Sequence, residues 1–316
     1  MADALASTAV ETSKIEGEDL NPDAVRLSVA RRLGLPGGSV QDDRTEGVVA
    51  MTLDATRNFD RPLTAERLFT WHADLFPIEL GVEPTIDIGA WRGAALGPMR
   101  VVSGRLGKAR IHFEAPAAED VPAEMACFLK WFNGSLGKMN GLVRVAIAHL
   151  WFVTIHPFED GNCRIARAIA DMALAQDEAT SERFYSVSAQ IYAERKAYYE
   201  HLESAQRGDV DVTPYVVWMI ECITSAVDSS REQVSRAMRA MRFWDKWQAF
   251  EFNERQRKVL LRYFGDFEGK LNMRKYLAIS GAPRVTAYRD LSELVDAGIL
   301  SPMCAARATS YDVVTY

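Results

Sequence analysis

The stretch IHPFEDGNCRIAR, residues 155–167, sets one histidine, two acids, an asparagine and two arginines around a Gly-Asn pair, directly after a long apolar run. Pro157 lacks an amide hydrogen and disfavours helical geometry at His156. A helix arriving from the apolar run therefore ends here, with His156 in a loop and its ring free to face a pocket. Gly161-Asn162 permits a tight turn, and CRIARAIADMALAQ, from Cys163 onward, reads as a helix. The free amides at the start of such a helix form an anion site. Arg164 and Arg167, three apart, share a helical face and can both reach phosphate oxygens beyond those amides. Asp160, just before the turn, is placed to hold Mg²⁺ against the same phosphates. Taken singly, these are ordinary features: a packed or capping histidine, a solvated arginine pair, a polar turn. In this order, within one short stretch, they describe a site for a nucleotide polyphosphate with a histidine beside it.

Outward from this stretch, helical spacing dominates. Apolar residues recur three and four apart over 64–77, 119–137, 140–155, 162–176, 190–206 and 213–242, which predicts a mainly α protein. The exception is MRVVSGRLGKARIHFEAP, where Met99–Ser103 and Ala109–Glu114 flank a Gly-rich basic turn and read as a β-hairpin. A lone hairpin is marginal unless something packs on it. The pattern changes near residue 250, where a long charged helix gives way to a compact unit beginning NERQRKVLLRYF. We place a domain boundary there.

Bulk properties restrict the function. With 316 residues, 48% of them hydrophobic, the chain can build one large core or two smaller ones. A net charge of −6 supplies no global basic field, so any contact with nucleic acid must be local. Cys127, Cys163, Cys222 and Cys304 are scattered without a CxxC pair, which fits a reducing cytoplasm rather than a disulfide framework or a zinc site. The longest apolar run is too short to span a bilayer and the first residues do not form a signal peptide, so no membrane partner is expected.

HPFEDGNCR..R resembles the signature of Fic proteins, HxFx[D/E]GNGRxxR, matching every fixed position but one. The resemblance implies a helical Fic fold and transfer of AMP from ATP, with Mg²⁺, to a Ser, Thr or Tyr hydroxyl of a target protein; relatives use other donors as well. It makes His156 the general base, its near-neutral imidazole taking the hydroxyl proton. It assigns Asp160 to the metal, Gly161, Asn162 and Arg164 to the phosphate cradle, and Arg167 to the γ-phosphate. The hairpin stands where Fic proteins carry a flap that pins the target peptide by main-chain pairing. SAQIYAERKAYYEHLESAQRGD is similar to the family helix around adenine, which makes Tyr198, Tyr199 and Gln206 candidates for the base pocket; as plain helix residues, the tyrosines would be core.

STAVETSKIEGEDL, near the amino terminus, puts Thr12 and Glu16 on one helical face with Gly17 as a natural stop. On its own this is a capped helix bearing a solvent-facing acid. It also matches the family's inhibitory pattern [S/T]xxxE[G/N], which implies that Glu16 competes with the γ-phosphate for Arg167; in some relatives the same glutamate instead aligns a water that removes AMP. The chain opens directly on this helix, where related proteins often carry a further segment, so a truncated form is among the readings. The resulting domains are 1–20 (inhibitory helix), 21–240 (Fic catalytic domain) and 251–316.

The last unit reads as three helices and a strand-like tail and resembles a winged helix-turn-helix, as at the end of longer bacterial Fic proteins. That likeness implies DNA binding through the helix from Pro283, with Arg284, Thr286, Tyr288 and Arg289 facing a groove, but winged helices also serve as homodimer or protein-binding modules. The rival to an active transferase is a DNA-binding regulator whose core only senses nucleotide. Cys163 is the departure from the signature. The family has glycine there, and a thiol predicts a crowded cradle and, at a helix start beside Arg164, a depressed pKa with unusual reactivity.

Overall fold

The computed structural model describes residues 1–36, 42–77, 84–94, 97–103, 110–208, 210–265, 267–305 and 308–314. Two compact units divide at Asp228/Ser229. The first contains α1 (Ala2–Ile15), α2 (Pro22–Arg32), α3 (Asp43–Arg57), α4 (Ala65–Leu75), β1 (Arg100–Ser103), β2 (Arg110–Glu114), α5 (Val121–Gly134), α6 (Gly141–Ile155), α7 (Asn162–Glu178), α8 (Val187–Ala193) and α9 (Arg195–Arg207), and α10 (Thr213–Lys246) begins in it.

The mainly helical reading holds. α6 and α7 pack against each other at the centre, with α3 and α1 on α7. α7 is buried on every face from Ile165 to Ala175, and its run of alanines lets neighbouring helices close around it. Phe128, Phe132, Phe152 and Phe158 are fully buried beside it, each burial stabilising by roughly 1.5–3 kcal/mol. The segment expected as one helix over 190–206 is broken at Glu194, whose non-helical backbone separates α8 from α9. α2 and α3 have no counterpart among the expected helices. α3 buries Thr45, Thr52 and Thr56, polar residues that blur the apolar stripe, and two of them bond back to carbonyls one turn earlier.

β1 and β2 form the antiparallel hairpin, Arg100 opposite Glu114 and Ser103 opposite Arg110, with a register shift between Val101 and Val102. Its turn, with Ala109, lies outside the described residues. α9 supplies the packing that a lone hairpin needs. Glu203 accepts from Arg110 at 2.6 Å and pairs with His112 at 2.7 Å, and Arg207 donates to the carbonyls of Ile111 and His112.

The second unit holds α11 (Glu254–Phe264), β3 (Leu271–Asn272), α12 (Met273–Ser280), α13 (Arg284–Asp296), β4 (Leu300–Ala305) and β5 (Ala308–Val313), the strands forming one antiparallel sheet in the order β3-β5-β4. Its core joins Val259, Leu260, Tyr276, Leu291, Leu294 and Ile299. Asp290, buried among them, accepts from Asn253, Arg255 and Tyr276. The division falls earlier than residue 250 because the end of α10 contributes Phe243 to this second core.

Candidate active site

α6 ends where Pro157 requires. Without an amide at Pro157, the carbonyl of Val153 loses its helical partner, and the Nδ1 of His156 lies 3.3 Å from it. A carbonyl only accepts, so Nδ1 carries the ring proton and Nε2 keeps a lone pair. His156 itself is left-handed, φ 52° and ψ 57°, one of two such non-glycine residues described. The next turn is braced internally. The side-chain oxygen of Asn162 accepts from the amide of Phe158 at 2.9 Å while its nitrogen donates to the Phe158 carbonyl at 2.8 Å.

Gly161 caps α7 at φ 77°, and a Cβ there would come within 3.0 Å of the Phe76 ring, so both conformation and space demand glycine. Among the described residues, no side chain caps α7. The amides of its first turn therefore remain an anion site, with Asp160 exposed beside them and accepting from the Gly161 amide at 2.6 Å. His156, Asp160, Gly161, Asn162, Cys163, Tyr199, Gln206 and Glu16 line one cleft of about 760 Å³, a volume suited to a nucleotide.

The two arginines are already engaged. Arg164 donates to Glu18 at 2.8 Å and lies over the Phe76 ring. Arg167 pairs with Glu16 at 2.9 Å and donates to the hydroxyl and carbonyl of Thr12 at 2.7 and 2.9 Å. One nitrogen of each guanidinium, Nε of Arg164 and Nη1 of Arg167, is buried without a hydrogen-bond partner among the described residues. Burial works against the charge on Arg167, yet Glu16 beside it raises its pKa above the usual value.

One site expectation is narrowed and three need correction. The side chain of Asn162 braces the loop, so only its backbone amide remains to an anion. Tyr198 does not line the cleft: it is fully buried and its hydroxyl meets Nε2 of His149, whose Nδ1 meets Tyr215. Tyr199, the next residue of the helix, does line it and donates to the carbonyl of Ile15. Burial lowers the His156 pKa to about 4 rather than leaving it near neutrality, with Arg92 adding to the effect. Burial and then Glu16 push the Cys163 thiol up to about 12, the reverse of the activation expected at a helix start, because desolvation outweighs Arg167. Cys163 also stands within α7, in a conformation open to any residue, so the turn itself does not require glycine there.

Two positions escaped sequence reasoning. Arg92, buried, donates from Nε to the His156 carbonyl at 2.7 Å and from its amide to the Pro157 carbonyl at 2.9 Å. His72 stacks on Phe158 with ring centroids 4.2 Å apart, accepting from the Gly89 amide at 3.1 Å. Neither belongs to a recognisable motif.

The Fic/DOC family model matches residues 62–174, the span from α4 through most of α7. These residues form a Fic domain. A second model, a domain of unknown function (DUF4172), matches residues 1–35, around α1 and α2. Among curated proteins, the chain is 30% identical over 115 residues to the protein adenylyltransferase Fic of Nematostella vectensis, covering 36% of this chain and 25% of that one. It is 28% identical over 200 residues to the protein adenylyltransferase fic-1 of Caenorhabditis briggsae, covering 63% and 36%. The chain thus spans only about a quarter to two-fifths of the curated relatives it matches. The fold is shared with the crystal structure of a Fic family protein from Desulfovibrio desulfuricans G20, at TM-score 0.53 and 21% identity over 99% of this chain and 86% of that one. A Fic domain containing signaling protein from Bacteroides thetaiotaomicron superposes at TM-score 0.51 with 19% identity, covering 72% and 87%.

Proposed function

We propose that this chain transfers AMP from ATP to a Ser, Thr or Tyr hydroxyl of a target protein, and that Glu16 restrains it. The observation that carries this reading is the convergence on one cleft of a histidine with a bare ring nitrogen, the uncapped first turn of α7, and an acid occupying Arg167. The curated relatives named as adenylyltransferases support the same reaction class.

At neutral pH the His156 ring is uncharged, so Nε2 can take the hydroxyl proton. The freed oxygen attacks the α-phosphorus, one P–O bond forms, the bond to the bridging oxygen breaks, and pyrophosphate leaves. The α7 amides and Arg164 stabilise charge on the phosphates, with Arg167 available to the γ-phosphate only after Glu16 withdraws. Tyr199 and Gln206 hold the base. Mg²⁺ suits an exposed carboxylate beside an anion turn, since it commonly takes one or two carboxylates and completes its shell with phosphates and water. Asp160 would hold it, and the ion would neutralise phosphate charge. β2 would present the target segment.

A second activity is proposed for residues 251–316. α13 exposes Arg284, Tyr288 and Arg289 and half-exposes Thr286, and an antiparallel sheet follows it, an arrangement that suits a winged helix reading DNA. In the regulator alternative, the cleft only senses nucleotide and this unit does the work; a homodimer contact is a further use of the same unit.

The deciding experiment is incubation of the full chain with Mg²⁺ and ATP labelled at the α-phosphate, in parallel with γ-labelled ATP, in the presence of cell lysate. Label on protein from the α position that depends on the added chain is the expected result, the γ-labelled arm registering the kinases of the lysate. No α-label beyond that of lysate alone, for the natural chain and for Glu16→Gly alike, refutes transfer and leaves the sensing role.

A further inference from the structure

We infer that Arg92 is a positioning residue for the reaction proposed above, holding the left-handed turn at His156 so that the imidazole keeps its proton on Nδ1 and its lone pair in the cleft. The inference rests on that reading for the reaction, but on geometry alone for the turn. A left-handed conformation at a non-glycine residue is strained and persists only when its surroundings impose it. Here one residue binds the two successive carbonyls that follow the helix end. The Nε of Arg92 holds that of His156 at 2.7 Å and its amide holds that of Pro157 at 2.9 Å.

The rest of the side chain is fixed as well. Nη2 of Arg92 donates to the carbonyl of Pro116 at 2.6 Å, tying the turn to the chain just after β2. The guanidinium is buried, so these bonds are not shared with solvent. Their consequence runs through the ring. Only in this turn does Nδ1 face the carbonyl that Pro157 has orphaned, and only that contact selects the Nδ1–H tautomer, the less common one for an isolated imidazole. An imidazole protonated on Nε2 cannot take a proton in the cleft. Arg92 therefore reaches the chemistry without touching the cleft, among whose lining residues it does not occur.

The test uses the full chain labelled with ¹⁵N-histidine, in which nitrogen shifts distinguish protonated from bare ring nitrogens and His156→Asn assigns the resonances. The natural protein should show Nδ1–H at His156. Arg92→Gln, which keeps much of the stem and a donor, and Arg92→Met should both move His156 toward the Nε2–H form, the methionine variant further. In the Glu16→Gly background both should lower kcat by about tenfold or more with the KM for ATP unchanged, and Arg92→Lys should recover part of the loss. An unchanged Nδ1–H signal in a folded Arg92→Met chain overturns the inference. If Glu16→Gly transfers nothing, the reading of function fails while the nitrogen shifts still decide the role of Arg92.

Discussion

Glu16 and Arg167 stand 2.9 Å apart across the end of α1, and the arginine is held again by both oxygens of Thr12. One helix thus directs three acceptors at one guanidinium. Glu16→Gly should raise self-labelling from α-labelled ATP by an order of magnitude or more, equivalent to ~1.4 kcal/mol or more of barrier. It should also lower Tm, since removing one partner of a buried ion pair costs on the order of 3 kcal/mol. Labelling that stays flat or falls would mean that the pair is structural only.

His156→Ala should abolish labelling while leaving the affinity for ATP within about twofold, because the ring acts on the incoming hydroxyl and the anion turn is built by Gly161 and Asn162. Binding is measured by calorimetry in the Glu16→Gly background. Undiminished labelling removes His156 from its role.

Cys163 should be slow to react. With its thiol pushed up to about 12, almost none is thiolate at pH 7.4, whereas Cys127 is exposed. Iodoacetamide followed by peptide mapping should modify Cys127 first and leave Cys163 largely intact. Mild oxidation should not alter transfer, and Cys163→Gly should raise the rate more than it tightens ATP binding. Early modification of Cys163 would show that the thiol is ionised and restore the reactivity expected of a cysteine at a helix start.

The fully buried His149 should contribute to acid sensitivity. Burial lowers its pKa to about 3, far below the usual 6.5. Above pH 6.5 both folded and unfolded chains carry it neutral. Below that, the unfolded chain binds a proton that the native one refuses, so stability is lost as pH falls from about 6.5 toward about 3. The slope from this one residue is roughly 1.4 kcal/mol per pH unit. His149→Gln should flatten denaturant-derived stability between pH 6 and 4 while costing stability at pH 7, where Tyr198 and Tyr215 lose their shared partner. An unchanged slope would place the acid sensitivity elsewhere.

Duplex DNA should bind the full chain at low salt, with affinity falling steeply as salt rises. Arg284→Ala with Arg289→Ala should weaken binding and flatten the slope by about one unit for each phosphate that is no longer neutralised. Absence of binding at low salt would turn residues 251–316 toward dimerisation or protein recognition.

The cleft was legible where chemistry is local. His156 through Arg167 form one turn and one helix start, so residue type and spacing suffice to place ring, amides and guanidiniums near each other. Pro157 even foretold the end of α6. Legibility failed where burial decides. A sequence shows that Asn162 is polar but not that it bends back onto Phe158, and shows a thiol beside arginines but not that the thiol is dry. Tyr198 and Tyr199 are the instructive pair. Adjacent helix residues point about 100° apart, and only the packing of α9 decides that Tyr198 turns into the core while Tyr199 lines the cleft with Glu203 and Gln206. Arg92 lies 64 positions before the carbonyl that it holds, and only the fold brings them together.

Because α1 and α7 belong to one chain, the acid that occupies Arg167 arrives with it at synthesis. A tethered group acts at an effective concentration set by its linkage, commonly millimolar or above, and that value does not change with the amount of protein present. If Glu16 restrains the protein as proposed, that restraint is indifferent to dilution and to expression level. Only something that competes at the Arg167 site, or that draws α1 away from α7 and α8, would then shift the balance, and a cell could tune output through such an agent without altering the dose of the protein.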